Sequence, residues 1–219
     1  MRCYVRLMRR EDIAQVNEID REAFSTLWPP ANYKHELNNR LAHYIVACDE
    51  EKKVEEADVE ATPEKRRSGL ASRVRQLFNY DRFMGNEPLP SAREYVAGFA
   101  GFWIMAGEAH ITNIAVRKIH YRQGIGELLF IGVIDLATKL EARMITLEVR
   151  ASNIAAQSLY IKYGFTRVGL RRGYYTDDRE DGVLMSTEDI ASASFQARLQ
   201  KLKQAYSGKW EIALEEVAR

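Results

Sequence analysis

The chain has 219 residues, of which 46% are apolar and 29% charged, and its 32 Lys and Arg nearly balance 31 Asp and Glu to a formal net charge of +1. These values are typical of an ordinary globular protein that buries a core without disulfides or metal staples. The near-neutral total argues against a general nucleic-acid-binding protein, which would carry a strong basic excess.

The sequence gives no sign of export or of membrane insertion. Residues 1–10 are too charged for a secretory signal, and the longest uncharged stretch, residues 95–107, is far shorter than the roughly 20 residues that cross a bilayer. Cys3 and Cys48 are too few for a disulfide framework and favour a reducing compartment. We therefore expect a soluble, cytoplasmic protein without a transmembrane segment.

The first elements predicted in chain order are two strands and two helices. Residues 3–8 alternate in polarity and predict a strand. Residues 10–24 place apolar side chains at helical spacing, residues 31–41 predict a second short helix, and residues 43–48 a second strand.

The composition changes over residues 49–92, which we interpret as an insertion. Residues 50–60 are dominated by acidic side chains, and a basic run at residues 65–67 follows. Residues 70–78 then place apolar side chains on one helical face beside arginines. We expect an acidic loop and a short amphipathic helix that packs on the domain. Binding to a membrane surface or a partner is the alternative.

The second half predicts a compact alternation of strands and helices. A hairpin over residues 95–105 and 110–117 precedes a long apolar helix. The remaining predicted elements are that helix at 126–140, a strand at 143–150, a helix capped by Asn153, strands at 165–175 and 182–186, and a helical tail at 187–219. Because a crossover helix joins them, the strands beginning near His110 and Met144 should be parallel neighbours in a mixed α/β sheet.

Residues 114–126 carry the sharpest local signal. They run from a strand into a helix through Arg122, Gly124 and Gly126. The glycines permit a tight turn and close backbone approach, while the free N–H groups of a helix start suit a pyrophosphate. Taken alone, a Gly-x-Gly pair is also what an ordinary turn before a helix needs, and the spacing fits neither a Walker loop nor a dinucleotide fingerprint.

Glu148 and Tyr160 are the candidate acid–base residues. Strand alternation turns Glu148 away from its apolar neighbours, and the following helix brings Tyr160 toward the same cleft. A carboxylate there could accept a proton from an ammonium, and a phenol could return one to a leaving thiolate. Taken singly, Glu148 could instead pair with Arg150 or Arg172, and Tyr160 could be an ordinary core aromatic.

Residues 95–186 together resemble the GNAT acetyltransferases, and more closely the RimI-type ribosomal-protein-alanine N-acetyltransferases. Several motifs occur in the family's order. They are Asn113-Ile-Ala-Val116, Arg122-Gln-Gly-Ile-Gly126, Leu147-Glu-Val-Arg-Ala-Ser-Asn153, Ser158-Leu-Tyr160, Tyr163-Gly-Phe165, Arg171-Arg-Gly-Tyr-Tyr175 and Arg179-Glu-Asp181. The resemblance implies a GNAT domain at 1–186, interrupted by the insertion, with a mostly antiparallel sheet, helices on both faces and a splayed parallel strand pair; residues 187–219 would be a helical extension.

The resemblance also implies roles for particular residues. Glu148 matches the general base and Tyr160 the general acid, while Tyr174 and Tyr175 match the hairpin beside the peptide groove. The positions implied for acetyl-CoA are Ile114, Ala115, Val116, Arg122, Gln123, Gly124, Ile125, Gly126, Glu127 and Asn153. Glu127 is a departure, since its carboxylate would repel a pyrophosphate unless it points away.

The implied activity is direct acetyl transfer from acetyl-CoA to the α-amino group of a protein, with a ribosomal protein that starts with Ala as the acceptor. No metal, no covalent enzyme intermediate and no direct contact with nucleic acid are expected, and we expect a monomer or weak dimer. Two alternatives stay open. One is a small-amine or antibiotic acetyltransferase on the same fold, and the other is a non-catalytic module that binds acyl-CoA.

Overall fold

The structure is a computed structural model and describes residues 2–24, 31–54 and 93–210. Within these residues it has seven strands and five α-helices. The strands are β1 (Cys3–Leu7), β2 (Ala42–Val54), β3 (Arg93–Met105), β4 (Glu108–Val116), β5 (Met144–Arg150), β6 (Thr166–Tyr175) and β7 (Glu180–Ser186). The helices are α1 (Ile13–Ala23), α2 (Tyr33–Glu36), α3 (Ile125–Lys139), α4 (Ile154–Lys162) and α5 (Ala193–Trp210).

The strands form one sheet in the order β1-β2-β3-β4-β5-β7-β6. Every neighbouring pair is antiparallel except β4 and β5, which the crossover helix α3 joins in parallel. The predicted meander and the predicted parallel pair are therefore confirmed, and the fold class is the expected mixed α/β sheet.

Helices cover both faces of the sheet. Successive residues of β2 alternate between the two, since Ile45 packs with the cluster under α3 and Val46 with the cluster under α1 and α2. Helix α3 is buried around most of its circumference because α5 packs over it, so its sequence reads as a continuous apolar run. The sheet is thus held rigid from both sides where β4 and β5 meet.

Two predicted boundaries differ from the structure. Strand β2 continues to Val54, so the predicted start of the insertion at residue 49 is wrong, and residues 49–54 are strand. Their side chains are mostly charged and exposed, so the composition of this segment is typical of a loop. Helix α2 covers only Tyr33–Glu36 of the predicted 31–41, because a turn follows at Leu37 and Asn38.

The predicted amphipathic helix of the insertion, at residues 70–78, lies outside the described residues, as does the last part of the predicted tail, 211–219. The rest of that tail is largely α5. Phe195, Leu199 and Tyr206 are nearly fully buried in the main core cluster, so this helix packs on the domain. No helix in the described part of the chain is long and apolar enough to span a membrane.

Leu199→Ala tests whether α5 is part of the folding unit. Leu199 is 3% exposed, so its truncation leaves a cavity and should lower the free energy of unfolding by about 2–5 kcal/mol. Gln200→Ala, at the next and exposed position, is the matched control and should change it by less than about 0.5 kcal/mol. Urea denaturation measures both. Equal, small changes in the two variants would show that α5 contributes nothing to the core.

Candidate active site

The central feature of the site is a gap between two parallel strands. Strands β4 and β5 pair only from Glu108↔Met144 to Ile111↔Leu147. Beyond that register β4 continues through Val116 and β5 through Arg150, but no pairing joins them in the described residues. The backbone groups of β4 that face β5 are thereby left for another partner, which is how an extended ligand can bind as an added strand.

A bulge in β4 accompanies the gap. Gly101 of β3 pairs with Asn113 and Phe102 with Ile111, so Thr112 has no partner in the β3–β4 register. An extra residue of this kind bends a strand and increases its local twist. The bulge therefore lies at the residue where β4 leaves β5, and it supplies the bend that opens the gap.

The start of α3 lies after the end of β4 and has the features of a candidate anion site. Gly124 is the N-cap with φ +82°, and the N–H groups of the first helical residues, Ile125, Gly126 and Glu127, have no acceptor among the described residues. These N–H groups and the helix dipole favour a negatively charged ligand. A Cβ added at Gly126 would meet only Val116 Cγ2 at 3.9 Å, so the backbone there is open to close approach.

Side chains around this loop hold its shape. Buried His120 lies 3.2 Å from the Tyr95 hydroxyl and 3.2 Å from Gln123 Oε1, so the Gln123 side chain is committed within the protein. Arg122 is exposed and has φ +64°. On the other side Tyr206 donates a hydrogen bond of 3.4 Å to the Gly124 carbonyl.

Glu127 points away from the helix start. Its carboxylate receives Lys162 Nζ at 2.5 Å and the Tyr163 hydroxyl at 2.8 Å, both from the α4 region. Burial and the hydrogen bond to Glu127 raise the pKa of Tyr163, so that hydroxyl stays a donor. The expected repulsion between Glu127 and a bound pyrophosphate is therefore offset by Lys162.

Glu148 lies on β5 one residue beyond the last β4–β5 pair, and its side chain is 4% exposed. His110 Nε2 lies 3.1 Å from its Oε2, and Arg171 Nη1 lies 3.0 Å from its Oε1. The Arg171 N–H groups are not directed at Oε1, which has no hydrogen-bond partner among the described residues. A buried carboxylate oxygen without a donor, next to two basic side chains, can accept a hydrogen bond or a proton from a ligand. Neither Arg150 nor Arg172 pairs with it, contrary to the open alternative.

Tyr160 lies on α4 among aromatic side chains. Its ring centroid is 4.9 Å from that of Phe130 and 6.0 Å from that of Phe165. Burial raises the pKa of its hydroxyl to about 12, so the phenol is protonated at neutral pH. The residue is half-buried, and its hydroxyl makes no hydrogen bond to a described residue.

Tyr174 and Tyr175 link the two candidate residues. Burial raises the pKa of both, and Tyr175 also responds to the charges of Tyr160 and Glu148, which places these two near it. Arg171 Cζ lies over the Tyr174 ring, 5.4 Å from its centroid. The β6–β7 hairpin thus brings two aromatic rings beside Glu148.

Arg150 fixes the position of that hairpin. It lies 4.1 Å from the centroid of the Tyr175 ring and bonds Asp177, Asp178 and Glu180 at 2.7–3.0 Å. Hydrogen bonds from Arg150 are the main cause that lowers the pKa of Asp177. A guanidinium is well suited to such a cluster because it offers five donors in one plane.

The remaining predicted positions are distributed around the same gap. Ile114, Ala115 and Val116 lie on the part of β4 that pairs with β3 but not with β5. Asn153 caps α4 by accepting from the Ala156 N–H at 3.1 Å, which commits its oxygen and leaves its amide N–H groups for a ligand. The predicted site residues therefore come from β4, the start of α3, the β5–α4 junction and the hairpin, all around one opening.

Sequence reasoning missed the side chains that support these residues. Arg171 and Arg150 stand within the motifs, but the motifs did not show that they contact Glu148 and the acidic residues of the hairpin, and His110 and Trp210 lie outside the motifs. A Cβ at Gly124 would lie 2.5 Å from Trp210 Cε2, so the last turn of α5 packs directly on the helix start. The sequence predicted that β4 and β5 are parallel neighbours but not the register that brings His110 to Glu148.

The donor set fits a ligand that combines an extended amide-bearing arm with a pyrophosphate, as acyl-CoA does. Residues 81–165 match the model of the Acetyltransferase (GNAT) family. The chain is 34% identical over 182 residues to a Bacillus subtilis protein provisionally named ribosomal protein bS18-alanine N-acetyltransferase, a match that covers 83% of this chain and 92% of that protein. Over 93 residues it is 43% identical to the Escherichia coli K12 ribosomal protein bS18-alanine N-acetyltransferase, covering 42% and 63% of the two chains.

Solved structures share the fold. The E. coli ribosomal-protein-S18-alanine N-acetyltransferase superposes with a TM-score of 0.59 at 24% identity, covering 87% of this chain and 97% of that one. A Bacillus anthracis structure, provisionally a streptothricin acetyltransferase in complex with acetyl-coenzyme A, gives a TM-score of 0.57 at 17% identity, covering 86% and 99%. Because these proteins carry names with different acceptors, the fold by itself does not select the acceptor.

Gly126→Ala and Gly124→Ala separate binding from folding at the helix start. A methyl group at Gly126 meets no close atom, so we expect unchanged or slightly higher thermal stability, and about a tenfold rise in KM for acetyl-CoA because close approach to the backbone is blocked. At Gly124 the same methyl group collides with Trp210 at positive φ, so stability should fall. Steady-state kinetics and thermal unfolding measure the two effects. Unchanged KM in a folded Gly126→Ala enzyme would contradict this assignment of the donor site.

Proposed function

Since this chain belongs to the GNAT acetyltransferase family, we propose that it acetylates the α-amino group at the N-terminus of a protein. The proposed acceptor is a ribosomal protein that begins with alanine. Membership of the family makes the chain an N-acetyltransferase with acetyl-CoA as donor. The observation that carries the proposal is Glu148, a buried carboxylate whose Oε1 has no hydrogen-bond partner in the described residues, at the point where β4 and β5 separate.

Residues on β4 and at the start of α3 would hold the donor. The backbone edge of Ile114, Ala115 and Val116 that faces away from β3 would bind the pantetheine arm. The N–H groups from Gly124 to Glu127, with Arg122, would bind the pyrophosphate. Asn153 would add its amide N–H groups. Acetyl-CoA, when bound, supplies a thioester whose carbonyl carbon is open to attack by an amine. A backbone N–H of the separated part of β4 would stabilise the negative charge that develops on the carbonyl oxygen.

Glu148 would act as the general base. The α-amino group of a peptide has a pKa near 8, so most of it is protonated at neutral pH. Oε1 of Glu148 would accept that proton, directly or through a water molecule, and leave a neutral amine. Arg171 Nη1 lies 3.0 Å from Oε1, so a positive charge faces the carboxylate.

Tyr160 would act as the general acid. Its hydroxyl remains protonated at neutral pH because burial raises its pKa to about 12, and it makes no hydrogen bond to a described residue that would hold the proton in place. It would donate that proton to the departing thiolate sulfur. Burial also raises the pKa of the Cys3 and Cys48 thiols to about 12, so neither cysteine is an activated nucleophile, and direct transfer fits better than a covalent intermediate.

Two observations favour a peptide acceptor. The B. subtilis relative matches over most of both chains and is provisionally named for N-terminal alanine acetylation. Tyr174 and Tyr175 beside Glu148 provide aromatic walls with polar ends that suit an extended peptide. We further propose that the protein acts in the cytoplasm, as a monomer or weak dimer and without direct contact with nucleic acid; its two cysteines are free.

A panel of acceptors tests the proposed function. Purified enzyme and acetyl-CoA are incubated with peptides that begin with Ala and carry a ribosomal sequence, with the same peptides blocked at the α-amino group, and with spermidine and an aminoglycoside. We expect mass spectrometry to find one acetyl group on the free Ala N-terminus and none on the blocked peptide. Acetylation of the small amines alone would contradict the proposal.

Glu148→Gln should slow the enzyme most at low pH. Without the carboxylate, only the fraction of acceptor that is already a free amine reacts, about one-tenth at pH 7, so kcat/KM at that pH should fall by about tenfold. The deficit should shrink as the pH rises through about 8 and the acceptor deprotonates by itself. Glu11→Gln, an exposed carboxylate on the far edge of the molecule, is the control. A Glu148→Gln enzyme with the wild-type pH profile would exclude Glu148 as the base.

A further inference from the structure

Glu148 is one end of a line of polar side chains that leads out of the site. His110 Nε2 lies 3.1 Å from Glu148 Oε2, and His110 Nδ1 lies 2.9 Å from the Thr146 hydroxyl. Thr146 donates in turn to Glu108 Oε1 at 2.5 Å. Glu108, His110 and Thr146 belong to the paired part of β4 and β5, where His110 stands opposite Thr146, and Glu148 lies one residue beyond it. The line therefore runs along the ladder, from the gap toward the opposite end of the two strands.

The hydrogen-bond contacts determine which atoms of this line carry hydrogens. A threonine hydroxyl has a single hydrogen, and Thr146 gives it to Glu108. The 2.9 Å contact between His110 and Thr146 then requires a hydrogen on Nδ1. Nε2 faces a carboxylate, so either Nε2 carries a second hydrogen or Glu148 carries one. Glu148 and His110 thus share one exchangeable proton, which can pass directly between Glu148 Oε2 and His110 Nε2.

The four side chains of this line differ in their exposure to solvent. Thr146 is 8% exposed and the Glu148 side chain 4%, whereas the His110 side chain is 35% exposed and Glu108 is half-buried. A buried base that has taken a proton must release it before the next turnover, and the flanking Arg171 disfavours any extra positive charge nearby. Within the described residues, the other titratable groups facing the pair are Tyr174 and Tyr175 on β6.

We propose that His110 and Thr146 form a proton relay that returns the proton taken by Glu148 to solvent at Glu108. This role rests on the proposed function, because it needs Glu148 to be the base. His110 is a positioning and relay residue and not a catalytic one, since it acts through Glu148.

Each proton in the relay moves by one position. The O–H bond at Glu148 breaks and an N–H bond forms at His110 Nε2. The N–H bond at Nδ1 breaks and an O–H bond forms at Thr146, while the original Thr146 hydrogen passes to Glu108. Glu108 then loses one proton to water. His110, Thr146 and Glu108 together keep the number of hydrogens they started with, and Glu148 has lost one proton to solvent. His110 is left with its hydrogen on Nε2, and exchange with water at its side chain, which is 35% exposed, restores the hydrogen on Nδ1 before the next turnover.

Thr146→Val tests the relay while Glu148 and His110 themselves stay unsubstituted. Valine keeps the shape of threonine but has no hydroxyl, so kcat should fall about tenfold while both KM values stay near wild type. Raising the concentration of a small buffer base such as imidazole, at constant pH and ionic strength, should restore kcat, because the buffer can take the proton from half-exposed His110. Wild-type kcat should not depend on buffer concentration.

Thr138→Val is the matched control, since Thr138 bonds the Ile134 carbonyl within α3 and lies outside the relay. It should show neither the loss nor the response to buffer. Glu108→Gln, at the half-buried end of the line, repeats the test if Thr146→Val does not fold. Wild-type kcat in Thr146→Val, or a loss that buffer does not restore, would overturn the relay.

The proposed function fails separately from the relay. If the panel finds no acetylated N-terminus, or if Glu148→Gln is fully active, the base assignment fails whatever Thr146→Val does. If Glu148→Gln is impaired and Thr146→Val behaves as wild type, the base stands and the relay alone is wrong.

Discussion

The separation of β4 from β5 after the Ile111↔Leu147 pair is the constraint on which the rest of the site depends. Up to that pair the strands share an ordinary parallel ladder, and His110 is held opposite Thr146. Beyond it the backbone of Ile114 to Val116 is free on one side, and Glu148 lies at the start of the gap. One structural change thus opens the edge of β4 on which the proposed donor site depends and places Glu148, the proposed base, beside it. The paired half of the same ladder carries the line of groups from Glu148 to Glu108.

Packing holds the gap open. Apolar helix α3 lies across one face of the sheet, and its first turn follows directly from the end of β4. Helix α5 packs over α3 and contacts the helix start through Tyr206 and Trp210. The C-terminal extension is therefore part of the domain that shapes the pyrophosphate loop. On the other side, Arg150 holds the β6–β7 hairpin and keeps Tyr174 and Tyr175 beside Glu148.

Much of this organisation follows from the sequence. The meander, the parallel crossover and the Asn153 cap are dictated by hydrophobic periodicity and turn residues, which are local properties. The motifs on β4, α3, β5 and α4 identified the residues around the gap. What the sequence did not contain is the pairing between side chains far apart in the chain. The ion pairs of Lys162 with Glu127 and of Arg171 with Glu148 depend on how helices and strands pack. The end of β2 was predicted as a loop because its charged side chains face water.

Hydrogen exchange of the backbone amides, followed by mass spectrometry with and without acetyl-CoA, tests the central claim most directly. If the donor binds along the separated part of β4 and at the start of α3, residues 112–116 and 122–127 should exchange more slowly in its presence. The paired residues 108–111 and the exposed strand β6 should not change. Protection confined to other parts of the sheet, with residues 112–116 and 122–127 exchanging as in the free protein, would contradict the account.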